Sequence, residues 1–180
     1  MDILKGFQPF QRLDKKKLKP GTIQMEKLKY SDYTIVFQEV PNETTLAINI
    51  TECPHHCVGC HSQHLSKSYG NYLEDDIDKI ISKYCGLISC VCLMGGDQKI
   101  SSLNRILKKI KNNYKLKTCV YSGSDDIKVF DKSKKWLDYL KIGHYEEKLG
   151  GLGSPSTNQK FYIVNNKKLE DITSVFQKNH

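Results

Sequence analysis

The reading of this chain turns on Thr51-Glu52-Cys53-Pro54-His55-His56-Cys57-Val58-Gly59-Cys60-His61, a stretch that carries three of its seven cysteines. Three thiolates spaced C-x3-C-x2-C on one tight loop reach three corners of a four-iron cluster, and no fourth Cys lies nearby to close it. One iron is then left open. Zinc is the rival, because Cys3His sites exist and His55, His56, His61 and His64 all lie close along the chain. Structural zinc sites, however, are usually built from two paired knuckles spaced well apart, and this chain has one compact group. Iron–sulfur is therefore the favoured reading. Cys85, Cys90, Cys92 and Cys119 are spread among apolar neighbours and read as small buried hydrophobes. An odd number of cysteines without a secretion signal argues against a disulfide framework.

Working outward from the loop, Thr34–Val40 and Thr45–Ile50 read as strands separated by the turn-forming Pro41-Asn42-Glu43. On the other side, Leu73, Ile77, Ile80, Ile81 and Tyr84 follow helical spacing, with Glu74, Asp75 and Asp76 in the first turn, where the helix dipole favours acids. Ile88–Met94 is a β-rich apolar run that stops at Gly95-Gly96. Ser101 or Ser102 then caps a helix with Leu103, Ile106, Leu107 and Ile110 on one face. Thr118–Tyr121 is a further strand, closed by Ser122-Gly123. Trp136–Ile142 and Phe161–Val164 are strand candidates on either side of Gly150-Gly151-Leu152-Gly153-Ser154-Pro155. Strand, helix, strand, helix, strand is the order of a parallel sheet with crossover helices. The cysteine loop, Gly95-Gly96-Asp97, Ser122-Gly123 and Gly143 all follow the C-terminal ends of strands, the edge where such sheets build their sites.

The chain has 180 residues, 38% of them hydrophobic, which suits one domain. A complete eight-unit β/α barrel needs about 250 residues and is excluded, so the expectation is an α/β fold, a partial, open barrel of five to six units. No apolar run approaches the 18 or so residues of a membrane span, and Met1–Gly6 lacks a signal-peptide stretch, so no membrane is expected and the cytoplasm is the default location. The net charge is +8, but residues 1–29 hold eight Lys and Arg against three acids and account for +5 of it. This divides the chain into a basic N-terminal extension, 1–29, and a domain, 30–180, and argues against nucleic acid as a partner of the domain.

C-x3-C-x2-C directly after the first core strand resembles the signature of the radical S-adenosylmethionine enzymes. Thr45–His61, together with Met94-Gly95-Gly96-Asp97, Tyr121-Ser122-Gly123 and Gly153-Ser154-Pro155 through Asn158-Gln159-Lys160-Phe161-Tyr162, is similar in order and gaps to the small activating proteins of anaerobic ribonucleoside-triphosphate reductase. The resemblance covers about residues 30 to 175. It implies the open β/α barrel of the radical S-adenosylmethionine type. It also implies that Cys53, Cys57 and Cys60 hold one [4Fe–4S] cluster per chain, whose open iron binds S-adenosylmethionine. An electron from the reduced cluster, supplied by a donor such as a flavodoxin or ferredoxin, would split the sulfonium to methionine and a 5′-deoxyadenosyl radical. That radical would remove a hydrogen atom from a backbone glycine of the partner reductase, leaving a glycyl radical. No catalytic residue beyond the cofactor ligands is implied.

The resemblance also names cofactor contacts. Gly95-Gly96-Asp97 is similar to the superfamily's Gly-Gly-Glu element, which contacts the methionine amino group; an ordinary strand-to-helix turn is the competing reading. Gly59 stands where many members carry an aromatic that touches adenine, so the backbone from Gly59 through Cys60 to His61, with the His61 ring, would replace it. Ser122 is a candidate for the ribose or the methionine carboxylate, while His55 and His56 read as spacers. His144 departs from the family's Gly-Pro-Tyr, and Lys160 stands where Arg is commoner, keeping the charge without the bidentate fork. Two other functions are compatible with the residues: a small-molecule radical enzyme such as a deazapurine synthase, and a zinc-stabilised module that binds nucleic acid or protein.

Overall fold

The computed structural model describes residues 25–177. The strands are β1 (Lys29–Val36), β2 (Thr45–Ile50), β3 (Asn71–Tyr72), β4 (Cys90–Met94), β5 (Lys117–Tyr121), β6 (Tyr139–Ile142), β7 (Lys160–Asn165) and β8 (Lys168–Asp171). Two α-helices accompany them, α1 (Leu73–Ser82) and α2 (Ile100–Lys109). All eight strands form one sheet in the order β3-β1-β2-β4-β5-β6-β7-β8. Only β2–β4, β4–β5 and β5–β6 are parallel; β1–β2, β1–β3, β6–β7 and β7–β8 are antiparallel.

The expected barrel of five to six β/α units is therefore corrected: the fold is mainly β, a mixed open sheet with two crossover helices. The physical reason lies in the connections. Helix α1 joins β2 to β4 and α2 joins β4 to β5, each with a continuous apolar stripe: Leu73, Ile77, Ile80 and Ile81 in the first, Leu103, Ile106 and Leu107 in the second. After β5 no such stripe recurs. Ile127–Phe130 and Lys134–Trp136 form only 3-10 turns, and the chain then reverses into the antiparallel strands β7 and β8. Asn166 and Lys167, with φ of 50° and 66°, make the tight turn between these two.

Both helices cover the same face. Leu46, Ile48 and Ile50 of β2, Val91 and Leu93 of β4, Val120 of β5 and Leu140 and Ile142 of β6 join the helical stripes in one core. The opposite face is thinner: Cys90, Cys92 and Cys119 pack with Val40, Tyr139 and Phe161. Those three cysteines are fully buried, as their apolar surroundings predict, while Cys85 after α1 is exposed.

Several boundaries differ from the sequence reading. The first strand starts at Lys29 and ends at Val36, and β6 starts at Tyr139 because Lys134–Trp136 turns first. Ser102 does not cap α2; it lies inside the helix, buried, with its hydroxyl bonded to Glu74. Leu28 is fully buried, and its backbone N–H donates to Ser102 Oγ and Glu74 Oε2, each at 3.1 Å. The chain has thus entered the core one residue before β1. The rest of the basic extension, residues 1–24, lies outside the described residues.

Candidate metal centre

The parallel strands deliver four loops to one edge of the sheet. After β2 the chain leaves through Thr51, whose Oγ1 donates to Tyr69 O at 2.8 Å, and through Glu52, which takes the left-handed φ of 65°. Lys99 and Ser68 hold the Glu52 carboxylate, and these bonds, opposed by partial burial, keep it below the usual carboxylate range. The cysteine loop then folds back on the short turn Gln63–Ser66. Glu52 N–H donates to Lys67 O at 3.2 Å, Cys53 N–H to Leu65 O at 3.1 Å, and buried Leu65 anchors the turn. His56 and Gly59 adopt positive φ of 46° and 75°, which curls the loop tightly enough for Cys60 N–H to reach Cys57 O at 3.3 Å.

Cys53, Cys57 and Cys60 are partly exposed free thiols that together line a cavity of about 590 Å³. Cys57 also borders a second cavity of about 760 Å³, walled by His55 and Val58, by Gly123–Asp126 after β5 and by His144–Lys148 after β6. Burial pushes the Cys53 thiol up, against a backbone bond from His55. Ligation by iron would release that proton. The donor set fits an iron–sulfur cluster: three thiols on one loop around a shared cavity. Among the described residues no three His, Cys, Asp or Glu side chains converge on one ion, whereas thiolates of a cluster bind different irons and need no common centre.

Behind the larger cavity stand Asp97 and Ser122, two of the expected contact residues. The Asp97 side chain is only 6% exposed, and its Oδ2 accepts from Ser122 Oγ and lies 2.6 Å from His55 Nε2. His55, read as a spacer from the sequence, is thus the residue that links the cysteine loop to the strand edge. Its ring fits because position 123 is glycine: a Cβ there would stand 2.7 Å from the ring. Gly95 and Gly96 (φ of 118° and 107°) sit against Ile50 and against Leu28 and Leu103, where a side chain would crowd the core. Gly59 lies under the Glu147 carboxyl group, and His61 is exposed and lines neither cavity.

Three further residues complete the surroundings. His144 holds Asp125 at 2.8 Å and lies 3.8 Å from Glu146, and this bond keeps the Asp125 carboxyl below its usual range. Lys160 is turned away, 3.4 Å from Asp171 on β8. Lys141, in the middle of β6, is buried beneath the loops, and desolvation pushes its amine down to about 8. A lysine inside an otherwise apolar strand next to Gly143 was the sequence signal for it; nothing in the sequence pairs His55 with Asp97.

A family model described as a 4Fe-4S single cluster domain matches residues 44–150, from the residue before β2 to the loop after β6. No curated protein and no solved structure matches the chain. No helix among the described residues is long and apolar enough to cross a membrane.

Proposed function

The chain belongs to the 4Fe-4S single cluster domain family, and from that premise we propose that it is a radical S-adenosylmethionine activase for anaerobic ribonucleoside-triphosphate reductase. Cys53, Cys57 and Cys60 would hold the cluster, with the fourth iron left for the ligand. The observation that carries the reading is the position of Cys57, shared between the thiol-lined cavity and the larger one beside it. When bound, such a cluster supplies the electron that cleaves the sulfonium to methionine and a 5′-deoxyadenosyl radical.

The chain's own residues bind, orient and admit. Asp97 offers a carboxylate oxygen to an ammonium group, in exchange for the His55 or Ser122 bond it now makes. Asp125, Asp126, Glu146 and Glu147 outnumber Lys148 around the larger cavity, a field that suits a cationic sulfonium ligand. Val58, 81% exposed between two of the cysteines, is the contact proposed for a glycine-bearing loop of the reductase. A flavodoxin or ferredoxin is the proposed electron donor, and the cytoplasm the proposed location.

The test is anaerobic reconstitution with iron and sulfide, reduction, and addition of S-adenosylmethionine. The full chain is expected to take up about four irons and release 5′-deoxyadenosine, and Cys57→Ser is expected to abolish the product. Added reductase should then show a glycyl-radical doublet by electron paramagnetic resonance. Cleavage with no radical on the reductase would move the assignment to a small-molecule radical enzyme. Stoichiometric zinc without cleavage would reject both.

A further inference from the structure

All four residues of β6 are buried, and one of them is Lys141, 8% exposed. Lysine is almost never buried to that degree without a paired charge. Its ammonium donates to the carbonyls of Gly143 at 2.7 Å and Ser122 at 3.4 Å, both neutral acceptors in the loops that flank the larger cavity. Cys57, Asp125, Cys60 and Asp97 are near enough for their charge to act on it. Asp97 and Asp125 contribute carboxylate charge while bonded to His55, Ser122 and His144. The cysteine loop adds further negative charge that acts on the ammonium once its sulfurs are thiolates. Burial holds the amine at about 8, so at neutral pH it is still mostly cationic.

We infer that Lys141 is a fixed positive charge that raises the reduction potential of the cluster held by Cys53, Cys57 and Cys60. The inference rests on the ligation proposed above. One-electron reduction adds a negative charge to the cluster and its thiolates, so a nearby buried cation stabilises the reduced state more than the oxidised one. Low local dielectric strengthens that difference, and net charge is among the factors that set cluster potentials. Lys141 touches neither iron nor ligand in this account; it acts through the field at the cysteine loop.

The test is a potentiometric titration of the reconstituted full chain with redox mediators, comparing wild type, Lys141→Gln, Lys141→Met and Lys141→Arg at equal iron and sulfide content. Both neutral variants are expected to fall to about one-tenth of the wild-type reduced-to-oxidised ratio at the wild-type midpoint, about 59 mV for a one-electron couple. Lys141→Arg keeps the charge and is expected to stay close to wild type. A wild-type chain that takes up no cluster would sink the proposed ligation. If wild type is loaded but unchanged midpoints appear in both neutral variants, only the present inference falls. It falls equally if those variants fold yet lose the cluster, which would make Lys141 an assembly residue, or if neither folds, which would make the ammonium part of the core.

Discussion

His55 and Gly123 are a pair in which one residue's bulk depends on the other's lack of a side chain. A methyl group at position 123 would stand 2.7 Å from the imidazole, closer than real contacts allow, so the ring or the β5 loop must move. Gly123→Ala is therefore expected to break the His55–Asp97 contact and to cost about 1–3 kcal/mol, the usual range for overpacking. The His55 ring resonances in the nuclear magnetic resonance spectrum check the first effect, and urea unfolding the second. An unmoved ring with wild-type stability would show that the loop yields freely. At this scale the cysteines were legible because ligand spacing is local in sequence. The role of His55 was not, because Asp97 lies 42 residues away and meets it only through folding.

At the scale of elements, the end of the sheet opposite the cysteine loop is tied by Glu43, in the turn between β1 and β2. Its carboxylate accepts from Ser89 Oγ at 2.6 Å, Lys117 Nζ at 2.5 Å and Tyr139 OH at 2.9 Å, which stitches that turn to β5, β6 and the start of β4. Burial alone would raise the Glu43 carboxyl, but bonds from Lys117, Ser89 and Tyr139 together hold it below its ordinary value. The same network pushes Tyr139 up to about 12, through burial first and the Glu43 bond second. A carboxylate depressed in the fold adds stability that is present above its unfolded value and lost as pH falls through the folded one. The unfolded value is about 4.3, so the loss is expected below roughly pH 4. Glu43→Gln is expected to cost about 1–2 kcal/mol at pH 7, kept modest because the Lys117 side chain is half exposed. In urea unfolding the gap from wild type should narrow at about pH 3; a gap independent of pH would reject this account of Glu43. Helices α1 and α2 were legible as elements because their apolar stripes repeat with the helical period. The short edge strands β3 and β8 were not, since β3 has two exposed residues and β8 leaves three of four exposed.

For the whole molecule, the boundary between the basic extension and the fold is the point most open to measurement. Composition places it at residue 29, yet Leu28 is fully buried against Gly96 and Leu103 and donates to Ser102 and Glu74. A chain beginning at Met25 keeps these contacts and one beginning at Lys29 loses them. The second is expected to be about 2–5 kcal/mol less stable than the first, the range for emptying a buried leucine site. Equal melting temperatures for the two would show that Leu28 adds nothing to the core. Order along the chain set the chemistry on offer: a C-x3-C-x2-C loop after a strand, with the glycines, Asp97 and Ser122 following later strands. Tertiary structure alone decided that the sheet stays open and mixed, because pairing direction depends on how each connection packs, and the stretch after β5 lacks the apolar stripe of a crossover helix. It likewise decided that His55 meets Asp97 and that Lys141 is buried against the loops after β5 and β6, since both follow from strand register, which sequence periodicity does not carry.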